Sequence, residues 1–298
     1  MFSIIRRIFH KQIAPLNTIT INPWKFGANI DFLRAQHPND AIFPVIKSNA
    51  YGHGIEQITK LLNDVDCAAI CVDSYPEYAL ARRHSRHQFL VLSDTNIDNY
   101  RLYDRKRTAF VVSSMTTLQY FIKKKRPVHI HLFLNTGMNR EGFDEKDLES
   151  VIALLANARH IVIDGVMSHL SHADALDTTF TQQQIDCFKS LYTTITHAGH
   201  TPRYRHIGAS AGVFTIHDPF FTAWRRGKAM YGYTPFTPDH SEAQAASALQ
   251  PIASVQSTIL NIRTIPEGSS VGYSGTWTAS RESRIALIPR GYFEGLPR

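Results

Sequence analysis

Only three cysteines, Cys67, Cys71 and Cys187, occur among the 298 residues, too few and too poorly spaced for a disulfide framework. Two of them stand in the apolar run CAAICV, where cysteine acts as a small core side chain, so a reducing, cytoplasmic setting is expected. No apolar run approaches the length that crosses a bilayer, and a membrane partner is not expected. Zinc-ligand spacings, basic-aromatic RNA-binding motifs and heptad arrays are likewise missing. The formal charge is +7, yet the basic residues are scattered. Their one short run, Lys123 to Arg126, reads as a solvated helix end, so nucleic acid is not an expected partner. The opening stretch MFSIIRRIFHKQIAPL carries Arg6, Arg7 and Lys11 but neither the continuous apolar segment nor the cleavage site of a signal peptide. Residues 1–16 are expected to be a basic N-terminal extension.

What is present is a hydrophobic fraction of 43%, enough to bury a full core in one large domain or in one large and one small. Asn22 and Pro23 form a cap and first-turn pair that predicts a helix through about Arg34. Apolar runs then alternate with helix-period segments. The strand-like runs are VIK, CAAICV, QFLVLS, TAFVVS, VHIHLFLN, IVIDGVMSHL, RYRHIGAS and RRGKAMYG. Pro44, lacking an amide donor, is expected at the start of the first of them. Among the helices is one with Ile185, Phe188, Tyr192 and Ile195 on its inner face. This order predicts an α/β fold, a (β/α)8 TIM-like barrel over 17–235. A polar connector over 236–250 and a smaller all-β domain over 251–298, rich in Val, Ile, Thr and Ser, complete the expected organisation.

A parallel barrel places function at the carboxyl ends of its strands. Lys47 ends the first strand, Arg140 follows the fifth, His169 ends the sixth, His206 and Ser210 lie on the seventh, and Arg225 opens the eighth. Singly, each has an ordinary structural explanation: a surface ion pair for Arg140, a satisfied core histidine for His169, a turn hydroxyl for Ser210. Together they offer an amine able to condense with a carbonyl, hydroxyls and amides for an anion, and guanidinium groups for electron-rich atoms. That inventory suits pyridoxal phosphate. His169, His172 and Asp174 are close enough to raise a metal site instead, but two histidines an odd number apart on a strand face opposite ways, and no metal is expected.

The segments VIKSNAYGHG, NTGMNREGF, MSHLSHAD, HIGASAG, RRGKAMYG, VGYSGTWTA and IPRGYFEG resemble, in order, the motifs of the alanine racemases, from Ile21 to the last residue. The resemblance implies a pyridoxal phosphate enzyme that interconverts L- and D-alanine, in bacteria for the cell wall, as a homodimer with shared active sites. It implies that Lys47 carries the cofactor and serves as one base. Tyr273 is the second, supplied to the neighbouring subunit from the β domain. A free tyrosine titrates near about 10 and needs help to act at neutral pH; His169 and Arg225, with His206 behind them, are its implied support. Arg225 would also face the cofactor ring nitrogen. Tyr51, Ser210 and the backbone amides of Gly227 and Lys228 would hold the phosphate, Arg140 the substrate carboxylate, and Tyr292 would stand at the entrance. A strand-end Lys47 is expected to be rigid and partly desolvated, which favours a neutral amine.

Several positions depart from the family pattern: Phe133 replaces a lysine that orients the equivalent of Arg140, Asn139 replaces a glycine, and Ala209 replaces an asparagine. The family also continues past GYFEGLPR, so the β domain is expected to be incomplete at its C-terminal end. Three further readings stay open: a related racemase or decarboxylase with a different side-chain pocket, a cofactor-binding protein without a second base, and, from the shortened end, an inactive remnant. Tyr273 separates the second of these from a racemase.

Overall fold

A computed structural model describes residues 14–93 and 96–296; most of the predicted basic extension lies outside them. The chain divides into two compact units, one of Asn22–Ile252 and one that joins the residues up to Ile21 to those from Ala253 onward. The first strand, β1 (Asn17–Ile21), therefore belongs to the second unit. It pairs antiparallel with a strand at Ala253–Ser257. The barrel unit thus starts at Asn22 and not at the expected residue 17, because NTITI finds its hydrogen-bonding partner more than two hundred residues away. The predicted connector is corrected too. Asn29 bonds both the carbonyl and the amide of Gln250 at 2.9 Å, which ties that segment to the barrel unit.

In the barrel unit the strands are β2 (Ala41–Pro44), β3 (Ile70–Val72), β4 (Phe89–Val91), β5 (Thr108–Val112), β6 (Val128–Phe133), β7 (Ile161–Met167), β8 (Tyr204–His206) and β9 (Ala223–Arg226). β3 to β8 form one parallel sheet in chain order and β2 pairs parallel with β9. The two sheets join through the Val45 to Cys71 bridge on one side. On the other, Thr222 donates to the Arg205 carbonyl and Arg225 to the Gly208 carbonyl. The result is the expected closed (β/α)8 arrangement, its interior filled by inward-facing Phe43, Val45, Cys71, Leu90, Val111, Phe133, Met167 and Ala223.

The helices begin where their caps predict. Asn22 accepts from the Lys25 amide at 3.1 Å and Pro23 opens the Pro23–Gln36 helix. The Thr179–His197 helix buries Ile185, Phe188, Leu191 and Ile195, with Leu191 in the place expected for Tyr192. Strand ends moved more. Pro44 closes β2 instead of opening it. Residues 41 and 45 donate to the β9 side, so alternation turns the missing donor of Pro44 toward β3, where only a single bridge has to form. The run RRGKAMYG is a strand only through Arg226; Lys228–Tyr231 is a 3-10 turn. Arg225 thus lies inside β9, while His169 and Ser210 lie beyond the strands that precede them. A short apolar run is buried equally well in either conformation, and period alone does not separate them.

The second unit contains β10 (Ala253–Ser257), β11 (Asn261–Ile265), β12 (Ser270–Val271), β13 (Trp277–Thr278) and β14 (Ser283–Leu287). β11 pairs with β14 and β12 with β13, all antiparallel. Tyr273 starts a 3-10 turn, Tyr273–Gly275, between β12 and β13.

Candidate active site

Lys47 follows β2 after Val45 and Ile46 and opens a turn in which Ser48, Asn49, Ala50 and Tyr51 all have φ between 53° and 54°. Left-handed backbone costs an L-residue about 1–2 kcal/mol, so a run of non-glycine residues persists only where surroundings overdetermine it. Here they do. The Ala50 amide donates to the Ile46 carbonyl at 2.8 Å, Asn49 Oδ1 accepts from the Ile55 amide at 2.8 Å, and Glu77 takes the amides of Ser48 and Asp73 on its two oxygens at 2.7 and 2.8 Å. One carboxylate thereby fixes the chain at Lys47 relative to the chain at Asp73. The turn sends Tyr51 back toward the barrel axis, to the pocket that Lys47 lines.

That pocket, about 110 Å³, is lined by Lys47, Tyr51, Asp73, Ser93, Arg140, Glu141, His169, Arg225 and Gly227, with Phe133 and Met167 beneath. Lys47 Nζ lies 3.1 Å from Asp73 Oδ2, and its side chain is 38% exposed. The Lys47 side chain is partly desolvated, as a strand-end lysine is expected to be, and it is held in an ion pair that the sequence reading did not include. Arg140 pairs with Glu141 at 3.0 Å, the tethering arrangement its sequence also allowed. Asn139, standing for a glycine, has φ 56°, a conformation asparagine tolerates better than most residues.

Arg225 organises the floor of the site. It is 3% exposed. Nη1 donates to His206 Nδ1 at 2.8 Å and to the His206 carbonyl at 3.0 Å; Nη2 donates to the carbonyls of Ser168 and Ile207 and to His169 Nδ1 at 3.1 Å. A guanidinium only donates. Each imidazole nitrogen facing it must therefore be an unprotonated acceptor, which leaves His169 and His206 neutral with hydrogen on Nε2. Burial, reinforced by the Arg225 charge, accordingly pushes His169 down to about 3 and His206 well below the ordinary imidazole range. The His206 hydrogen then points to His131 Nδ1 at 2.7 Å, and burial with the same charge lowers His131 to about 3. Burial brings Arg225 itself to about 10, which still leaves it charged at neutral pH. Its Nε–H has no acceptor among the described residues, so one strong donor remains available.

At the far side, Ser210 Oγ accepts from the Ala229 amide at 3.2 Å. A side chain at Gly227 would meet Tyr51 Oη at 2.9 Å and approach Ser210 Oγ at 3.8 Å. The glycine thus keeps open a cradle between two hydroxyls, and no acceptor among the described residues takes the amides of Gly227 and Lys228. This donor set suits a phosphoryl group. The Lys228 side chain is exposed and contributes through its backbone. Tyr273 and Tyr292 belong to the second unit, where they are 88% and 72% exposed.

Sequence reasoning missed Asp73, Ser93, Glu77 and His131. The first two were findable, since they follow β3 and β4 at least as closely as Lys47 follows β2. His131 shares the inward parity of Phe133, a signal hidden because three of its four neighbours are apolar as well.

The chain is similar to known proteins along most of its length. An alanine racemase of Sorangium cellulosum is 31% identical over 274 residues, 86% of this chain and 69% of the relative. One from Vesicomyosocius okutanii is 32% identical over 283 residues, covering 94% of this chain and 76% of the relative. The crystal structure of alanine racemase from D-cycloserine producing Streptomyces lavendulae matches with TM-score 0.87 at 26% identity, over 96% of this chain and 77% of that one. The biosynthetic alanine racemase from Pseudomonas aeruginosa matches with TM-score 0.84 at 28% identity, over 96% and 78%. The alanine racemase N-terminal domain matches residues 21–235 and the C-terminal domain residues 252–298, and on these grounds the chain belongs to the alanine racemase family.

Proposed function

We propose that the protein interconverts L- and D-alanine with pyridoxal phosphate, as a cytoplasmic homodimer whose active sites take residues from both subunits. The observation that carries the reading is the pocket floor: a charged guanidinium with both amino groups committed to protein acceptors and one N–H to spare, beside a lysine at a strand end. The donor set fits the cofactor. Lys47 would bear it, Tyr51, Ser210 and the amides of Gly227 and Lys228 would take its phosphate, and Arg225 its ring nitrogen. When bound, pyridoxal phosphate supplies the electron withdrawal that acidifies the substrate α-hydrogen.

The chain's own residues do the rest. Lys47 Nζ must first leave Asp73, whose carboxylate keeps the Ser93 hydroxyl at 3.3 Å. It then removes or returns the α-proton on one face, while Tyr273 Oη does so on the other. Arg225 lends a hydrogen bond without giving up its proton, which restrains charge withdrawal and favours return of the proton over side reactions. His169, a neutral Nε2–H donor, is suited to steady the phenolate of Tyr273, and His206 holds Arg225 in place. Arg140, released from Glu141, would engage the substrate carboxylate; Tyr292 would stand at the entrance. Homodimerisation is supported by the second unit, which exposes Ile262, Leu287 and Phe293 at 47%, 59% and 91%.

The test is an absorbance titration of the purified chain with pyridoxal phosphate, followed by L-alanine and a coupled assay for D-alanine. Formation of D-alanine with a cofactor band that Lys47→Ala abolishes is the expected result. A band that survives Lys47→Ala would mean another lysine bears the cofactor and would sink the assignment.

A further inference from the structure

The opposite, amino-terminal mouth of the barrel holds a larger cavity than the one at the strand ends, about 310 Å³. We propose that this lower cavity binds a small dianion, a dicarboxylate or a phosphate, and that its occupancy is transmitted to Arg225 through His131 and His206. The inference stands apart from the proposed function, since it concerns a second site and is measured by binding.

Arg105, Lys106, Arg203, His129, Asp164 and His131 are among its walls. The one acid, Asp164, is already engaged by His129 Nδ1 at 2.7 Å. Arg105, Lys106 and Arg203 leave the cavity with an excess of positive charge in a concave setting, where fields are focused. Arg105 Nη1 is buried without an acceptor, and such a donor is costly unless a ligand or water meets it. The deep wall is His131, 2% exposed. Its Nδ1 is an acceptor for His206, so its hydrogen is on Nε2, and that nitrogen has no partner among the described residues. The cavity therefore ends in a buried N–H donor whose proton position was dictated by Arg225 on the other side of the core.

The path is continuous: His131 Nδ1 to His206 Nε2 at 2.7 Å, His206 Nδ1 to Arg225 Nη1 at 2.8 Å, Arg225 Nη2 to His169 Nδ1 at 3.1 Å. An acceptor on His131 Nε2–H polarises the imidazole and strengthens its Nδ1 as acceptor. That strengthens the His206 bond and, through it, the acceptor offered to Arg225. Coupling of this kind is reciprocal: whatever engages Arg225 alters anion affinity below.

The experiment is a titration of the full chain, labelled with nitrogen-15 histidine, against sodium succinate and inorganic phosphate in separate series at constant ionic strength. Saturable shifts of the His131 and His206 resonances are expected with at least one anion, and the tighter one identifies the ligand chemistry. The double variant Arg105→Ala/Arg203→Ala should bind about tenfold more weakly or worse with an unchanged melting temperature. No saturable His131 shift with either anion at tens of millimolar would overturn the site. Shifts that persist undiminished in the double variant would place the anion in the upper pocket and overturn it equally. A His131 shift without any response at His206 would refute the transmission.

Discussion

Gly165→Ala tests the histidine path at its most crowded point. β6 and β7 shift register between Ile130 and His131, so that Ile130 faces Ile163 and His131 faces Gly165. The bulge lays the imidazole against bare backbone. A methyl group at Gly165 would sit 2.5 Å from His131 Nδ1, 2.7 Å from Cε1 and 3.0 Å from Cγ. Ordinary contacts are about 3.5–4.0 Å, so the ring must retreat by about an ångström. It cannot do so and keep its 2.7 Å bond to His206, whose Nε2–H would be left in a side chain with no exposure. Overpacking of a tight core costs about 1–3 kcal/mol and an orphaned buried donor about 1–3 kcal/mol, together about 2–6 kcal/mol. Urea unfolding followed by circular dichroism measures the loss. The double variant Gly165→Ala/His131→Ala should be less destabilised than the sum of its parts, because the methyl occupies space the ring vacates. A Gly165→Ala variant within about 0.5 kcal/mol of the parent, or strict additivity in the cycle, would refute the packing argument.

Acid should weaken the fold through the same histidines. They are neutral when folded and take up protons on unfolding below their ordinary pKa, so stability falls as pH drops from about 6.5 toward about 3. For His131 alone the loss by pH 5 is about 2 kcal/mol, and equal urea midpoints at pH 7 and pH 5 would contradict it. Arg226 is fully buried, its three guanidinium nitrogens have no partner among the described residues, and burial lowers it to about 9. Arg226→Met should therefore be neutral or stabilising, by up to about 4 kcal/mol; a clear drop in melting temperature would reveal a partner of real worth. Tyr273→Phe should keep cofactor binding but slow exchange of the α-hydrogen with deuterium oxide mainly from one alanine enantiomer, and an equal loss from both would count against a base on one face.

Much of this was legible because it is local. The Asn22 cap with Pro23, the helical face of Ile185 and Phe188, and a lysine immediately after an apolar run are contained within a few residues, and local propensity and period decide them. The family motifs added the order of the site residues around the barrel. Conformation at strand ends was not legible: Ala229, Met230 and Tyr231 are apolar and buried yet belong to the 3-10 turn Lys228–Tyr231, and Lys47 meets a carboxylate, Asp73, from just beyond the next strand.

Side-chain period and turn chemistry are enough to set the alternation of strands and helices, the all-β segment after the barrel, and which residues crowd the carboxyl ends. Long-range pairing alone puts Asn17–Ile21 in the β unit, sets Gly165 where it makes room for His131, and lines up His131, His206 and Arg225 as donors and acceptors. Those facts depend on strand register in a closed sheet. Register brings together atoms from residues 131, 206 and 225, and a hydrogen bond of 2.7 Å between His131 and His206 leaves no trace in the spacing of either residue along the chain.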